Sequence, residues 1–188
     1  MTVQSPLAQS PLAQSPLAQT QRTVPAAGLR VTPASPMFLR EDEIRRGIEL
    51  LYFGYTAMIR GADAILEAQG LGRAHHRALY FIARRPGLSV GELIGLLGIT
   101  KQSLGRVLTD LNGRALVEQK VGTSDRRQRL LSLTPVGAAL ESQLFTELER
   151  SMARAYGEAG QHAVTGFWAV LMGLVPPEGR AQVEALQG

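Results

Sequence analysis

Residues 89–129 read SVGELIGLLGITKQSLGRVLTDLNGRALVEQKVGTSDRRQR. Ser89, with Glu92 three residues on, forms a capping box that opens a short helix whose Leu93, Ile94, Leu96 and Leu97 face inward. Gly98 makes the turn, and Thr100 caps a second helix running to about Arg114 with Leu104, Val107, Leu108 and Leu111 as its buried face. Leu116 to Val121 and Gln128 to Leu133 then read as two short strands joined by the polar loop Gly122-Thr123-Ser124-Asp125-Arg126-Arg127. A helix pair followed by a basic hairpin is the layout of a winged helix-turn-helix. It offers one helix to a DNA major groove and an arginine-tipped loop to the backbone or minor groove.

A recognition helix must pack one side on its own domain and show the other to base edges. The second helix divides in that way: beside the Thr100 cap, its first turns expose Lys101, Gln102, Ser103 and Arg106, all hydrogen-bonding side chains. Gln pairs with adenine and Arg with guanine, and Gly105 lets the groove wall approach closely. At the start of the first helix, the Ser89 hydroxyl and the free backbone N–H groups form a natural phosphate contact. In the wing, Arg126 and Arg127, with Arg129 behind them, suit the strongly negative minor groove. Asp125 would repel phosphate if it pointed outward, so it reads as an internal brace paired with a nearby arginine.

Charge supports this assignment. Residues 73–129 hold eleven of the 20 lysines and arginines but only four of the 16 acids, a local charge of +7, while the rest of the chain sums to −3. The positive charge is therefore concentrated on the segment that carries the helix-turn-helix pattern, as a phosphate-binding face requires.

Outward from the centre, Glu41 to Gln69 reads as one long helix with Glu41, Asp42 and Glu43 at its positive end. Gly70 and Gly72 end it, and a second helix covers Arg73 to Arg84. Downstream of the wing, Thr134-Pro135 starts a helix to about Gly157, Gln161 to Leu174 forms another, and Glu178 to Leu186 a last short one. Residues 4–18 are three copies of Gln-Ser-Pro-Leu-Ala, and the segment to Pro36 stays rich in Pro, Ala, Ser and Thr. Proline at every fifth position blocks helix and sheet, so 1–36 is expected to be a disordered tail, and Met37 offers an alternative start. The expected organisation is mainly α with a small β-hairpin. It comprises the tail at 1–36, an N-terminal helix at 37–72, the winged helix-turn-helix at 73–133 and C-terminal helices at 134–188. Leu50, Leu51, Tyr52, Phe53 and Tyr55 at one end, and Phe167, Trp168, Leu171, Met172 and Leu174 at the other, exceed what one small domain can cover. A two-fold partner would complete them, so both ends are read as dimerisation helices.

The motifs resemble those of the MarR (multiple antibiotic resistance regulator) family. The resemblance spans roughly residues 41–175 and rests on Leu88 to Leu93, Leu97 to Leu104, Leu116-Val117-Glu118, and above all the Asp125-Arg126-Arg127 wing followed by Leu133-Thr134-Pro135-Val136-Gly137. It implies a homodimer with interlocking terminal helices, bound to a pseudo-palindromic operator and usually acting as a repressor. It also implies a minor-groove contact from Arg126 or Arg127. Ile94 departs from the family, which usually has alanine there, and a larger side chain would widen the angle between the paired helices. Many relatives release DNA on binding phenolic or other amphipathic compounds. Such an effector pocket would lie between the dimer helices and the winged domain, lined by Tyr52, Tyr55, His75, His76 and Tyr80. The alternative is that these are ordinary core and interface residues.

Other chemistry finds little footing. The chain has no cysteine, which removes disulfides, thiolate metal sites and thiol redox sensing. His75 and His76 are adjacent on a helix and point about 100° apart, so one ion cannot take both, and no metal or cofactor is expected. There is no phosphate loop, nucleophile elbow or spaced ligand set, so no enzyme is expected. No apolar run spans a membrane and no secretory leader is visible, which is compatible with the cytoplasm. The rival to a DNA-binding regulator is a winged-helix module docking on an acidic protein surface. Exposed polar side chains at 101–106 favour DNA, since a protein groove would favour apolar ones.

Overall fold

The computed structural model describes residues 34–122 and 125–186. The expected tail lies outside these residues except for its last three. The chain divides into two units, Met1–Arg40 and Glu41–Gly188. In the first, Pro36–Leu39 forms one 3₁₀ turn capped by Ser35. The second contains α1 (Glu41–Ala68), α2 (Arg73–Arg84), β1 (Leu88–Ser89), α3 (Val90–Leu97), α4 (Lys101–Gly113), β2 (Val117–Val121), β3 (Arg129–Leu133), α5 (Pro135–Ala159), α6 (Gln161–Leu174) and α7 (Pro177–Glu184).

Local chemistry sets most of these boundaries. Thr100 Oγ1 accepts the Ser103 N–H at 3.1 Å to start α4. Gly98 sits at φ 61° and turns α3 into α4, a conformation that costs glycine little. Sequence patterning missed one element. Leu88 and Ser89 form a third strand, opposite Leu131 and Leu130 of β3, so the expected hairpin is a three-stranded antiparallel sheet ordered β1-β3-β2. Two residues cannot show alternation, and only the pairing partner reveals them.

The core is one cluster. Leu79, Ile82, Leu93, Leu104, Leu111 and Leu131 are fully buried at the centre of the winged domain. Ala62 and Leu66 of α1 and Leu140 and Leu144 of α5 join the same cluster. The core therefore runs across residues 72/73 and 133/134. Ile94, the larger residue in α3, is half-buried and packs against this cluster.

The N-terminal half of α1 leaves the core behind. Ile44, Ile48, Leu51, Tyr52 and Tyr55 are all exposed, as are Phe167, Trp168, Val170 and Leu174 of α6. Of the two expected apolar surpluses, Leu171 and Met172 are half-buried and the other members stay exposed within a single chain. No helix among the described residues is long and apolar enough to cross a membrane.

The Leu-Thr-Pro-x-Gly motif has a direct steric meaning. Thr134 Oγ1 donates to the Ala115 carbonyl at 2.6 Å and accepts the Gly137 N–H at 3.0 Å. The Gly137 α-carbon lies so close to β2 that a Cβ there would sit 1.9 Å from the Leu116 carbonyl oxygen. Gly137→Ala should therefore cost more than about 3 kcal/mol of stability. Gly157→Ala, in open space on the same helix, should gain about 0.5–1 kcal/mol. Urea unfolding of the two variants checks both signs, and equal midpoints would contradict the steric reading.

Candidate nucleic-acid interface

α4 is fixed on one side by Leu104, Val107, Leu108 and Leu111, all buried. That leaves Lys101, Gln102, Ser103, Gly105 and Arg106 exposed along the other side. Gln102 and Arg106 are one helical turn apart and so share a face. Neither they nor Lys101 makes a hydrogen bond or ion pair with another described side chain. Ser103 differs, because its hydroxyl is 2.9 Å from Thr100 Oγ1 and both belong to the helix cap. Thr100 and Ser103 thus shape the start of α4, while Lys101, Gln102 and Arg106 are free to reach outward.

The wing is built from a turn. The Gly122 N–H donates to the Gln128 carbonyl at 3.1 Å, and the Gln128 N–H donates to the Asp125 carbonyl at 3.0 Å. Arg126 and Arg127 occupy the corners of this four-residue turn and are exposed, as is Arg129 at the head of β3. Gly122 is buried against the turn, and a Cβ there would meet the Asp125 carbonyl oxygen at 2.7 Å. Asp125 does brace the wing, but to a different partner from the one expected. Its Oδ1 accepts the Arg127 backbone N–H at 2.9 Å, and no described guanidinium pairs with it. A short side chain beside a turn reaches its own backbone two residues on more readily than a distant head group.

Ser89 also departs from expectation. Its hydroxyl donates to Glu92 Oε2 at 2.6 Å and accepts the Glu92 N–H at 3.2 Å, while its own N–H donates to the same carboxylate at 2.9 Å. Its single O–H donor is thus already used within the cap. Hydrogen bonds from the Ser89 side chain and backbone, and then the nearby Arg85, hold the Glu92 carboxyl below the usual carboxylate range. The N-terminus of α3 therefore already carries an anion of its own, and Ser89 is engaged as the cap of that helix.

One of the five expected effector-pocket residues lines a described cleft of the single chain. Tyr80 lines a cleft of about 300 Å³ with Phe81, Arg84, Val183 and Leu186, and the other four are absent from its walls. His75 is a structural bridge: Nδ1 accepts the Gly72 N–H at 3.0 Å and Nε2 lies 3.3 Å from Asp110 of α4. Since Nδ1 accepts, the proton of the neutral ring sits on Nε2. Burial lowers the His76 pKa, with Asp63 opposing the shift. Asp63 also pairs with Arg73 at 2.7 Å, and this hydrogen-bonded pair raises the Arg73 pKa, with small contributions from Tyr55 and Tyr52. Tyr52 and Tyr55 thus lie on the α1 side of that ion pair, exposed. Sequence reasoning overlooked Arg114, whose guanidinium donates to the Gln69 and Gly70 carbonyls and ties α4 to the end of α1. It counted only as positive charge, because its partners are backbone atoms more than forty residues away.

This geometry has close counterparts among known proteins. The family model described as "MarR family" matches residues 69–128. HTH-type transcriptional regulator PetP of Rhodobacter capsulatus is 45% identical over 151 residues, covering 80% of this chain and 91% of that protein. Among solved structures, a MarR-family transcriptional regulator from Silicibacter pomeroyi superposes with a TM-score of 0.60 at 21% identity, over 76% of this chain and 94% of that one. A mutant MarR from E.coli complexed with operator DNA gives 0.57 at 22% identity, over 76% and 100%. These two likenesses establish the fold, a winged helix flanked by long terminal helices, and the family is one of transcriptional regulators rather than enzymes. With 45% identity along nearly the whole of a transcriptional regulator, the chain belongs to the MarR family of DNA-binding winged helix-turn-helix regulators.

Proposed function

We propose that this regulator binds a pseudo-palindromic duplex operator as a homodimer and represses the genes beside it. The observation that carries the reading is the pairing of an unengaged polar face on α4 with an arginine-cornered turn in the wing, both on the most basic segment of the chain. Lys101, Gln102 and Arg106 reach base edges in the major groove, while Arg126, Arg127 and Arg129 take backbone phosphates and the adjacent minor groove. Thr100, Ser103, Ser89 and Asp125 hold these groups in place. Exposed positions 101–106 of α4 carry no apolar side chain, which disfavours a protein-binding groove. The exposed apolar faces of α1 and α6 support dimerisation, since an apolar surface of that extent is seldom left to solvent. The same proposal makes the α1 face around Tyr52, Tyr55 and the Asp63–Arg73 pair, with His76 beside it, the place where a small amphipathic effector releases DNA.

Selection of bound sequences from a random duplex pool, at about 150 mM salt to suppress non-specific binding, tests the central claim. An enriched inverted repeat with half-sites about one helical turn apart is expected. Salt-sensitive binding without enrichment would overturn it. On the selected duplex, Arg127→Ala should weaken binding to all sequences and lower the salt slope by roughly one unit. Gln102→Ala should instead cost about 1–3 kcal/mol on the operator and little on random DNA. Equal losses on both duplexes would contradict base reading. Gly122→Ala should reproduce the Arg127 defect, because a Cβ displaces the turn, while leaving the melting temperature nearly unchanged. A wing that tolerates this change with full affinity would show that the turn geometry does not matter for binding.

A further inference from the structure

α7 buries none of its own residues, yet the chain just past its end is held on α2. Arg84, at the end of α2, donates through Nη2 to the Leu186 carbonyl. Val183 and Leu186 close the cleft over Tyr80 and Phe81. On the neighbouring helix, a Cβ at Gly95 of α3 would lie 3.9 Å from Gln182 Nε2. Glu141 of α5 is near enough for the Arg84 charge to oppose the upward shift that burial imposes on its carboxyl. One guanidinium thus joins the end of α2, which packs on α5, to the C-terminal segment. α2 and α3 pack against one another, and α2 also packs on α4 and α5, so this junction lies between the reading helix and its helical base.

We propose that Arg84 is a positioning residue for DNA reading: it holds α7 as a strap across α2 and α3, and the strap fixes the reading lobe on α5. This rests on the DNA-reading role proposed above. A guanidinium whose Nη2 is already engaged by a carbonyl must give up that bond to turn toward a phosphate. Its loss should act through the fraction of lobes held in the binding orientation, and affinity falls by that fraction.

The test uses the selected duplex and the full chain, alongside Arg84→Ala, Arg84→Lys and a chain ending at Val175. Arg84→Ala and the shortened chain should each lose about three- to tenfold in affinity with the salt slope unchanged. Arg84→Ala placed in the shortened chain should add nothing, because both changes remove one interaction. Arg84→Lys, which keeps a charged donor, should stay within about twofold of the parent. A salt slope lower by about one unit in Arg84→Ala would make Arg84 a phosphate ligand and overturn the proposal, as would full affinity in the shortened chain. If the parent binds no duplex, the DNA-reading proposal fails instead, and the two failures are distinct.

A second measurement does not depend on the shortened chain folding. The protein has no cysteine, so the pair Gly95→Cys and Gln182→Cys can be oxidised with diamide free of competing thiols. A bond within one chain that leaves operator affinity intact supports the strap. Covalent dimers would place α7 on a partner copy, and loss of binding on oxidation would show that the strap must leave before DNA is read. Either result overturns the proposal.

Discussion

The contact between Gly137 and the Leu116 carbonyl is the constraint on which the rest of this structure depends. Three elements converge there. Ala115 leaves α4 at φ 56°, an unusual conformation for a residue with a side chain. β2 begins two residues later, and α5 starts from Thr134. The Thr134 hydroxyl holds the Ala115 carbonyl, and the Thr134 N–H donates to the Leu116 carbonyl at 3.1 Å. The end of the reading helix, the base of the wing and the first turn of the long C-terminal helix are thus locked together. Because α5 also packs along α1 and α2, this lock transmits the position of the helical base to both α4 and the wing.

How much of this was legible in the sequence follows from how local each interaction is. Ser89 with Glu92, Thr100 with Ser103, and Thr134 with Gly137 each span three residues, and their helices begin where the caps predict. The buried face of α4 follows from spacing alone. What escaped depends on partners far along the chain. β1 exists because Leu131 and Leu130 lie opposite it, and Arg114 acts through carbonyls at the end of α1. The partners that Ser89 and Asp125 actually hold were hidden for a related reason. Residue type shows that a hydroxyl or carboxylate can bond, and only geometry shows that the bond is already made to a neighbour.

The same distinction separates scaffold from reader at the candidate interface. Polar groups satisfied inside the chain, such as the Ser89 hydroxyl, the Thr100 and Ser103 hydroxyls and the Asp125 carboxylate, lose a bond if they turn toward a ligand. Their contribution is to fix backbone. Lys101, Gln102 and Arg106 have no such bond to another described side chain, so a groove that offers complementary edges gains their full hydrogen-bonding capacity. The protein thus keeps short polar side chains for caps and turns and leaves the long ones on this face unengaged.

Electrostatics sharpens this division. The N-terminus of α3 would attract a phosphate through its free N–H groups, but the Glu92 carboxylate occupies it and Arg85 pairs with that carboxylate at 3.0 Å. An internal anion there discourages a backbone contact at α3. In the DNA-reading proposal, attraction then falls to exposed cations of α4 and the wing, Lys101, Arg106, Arg126, Arg127 and Arg129. Register on the duplex would therefore be set by the reading helix and the wing together, two supports whose spacing is fixed by the Thr134–Gly137 lock beneath them.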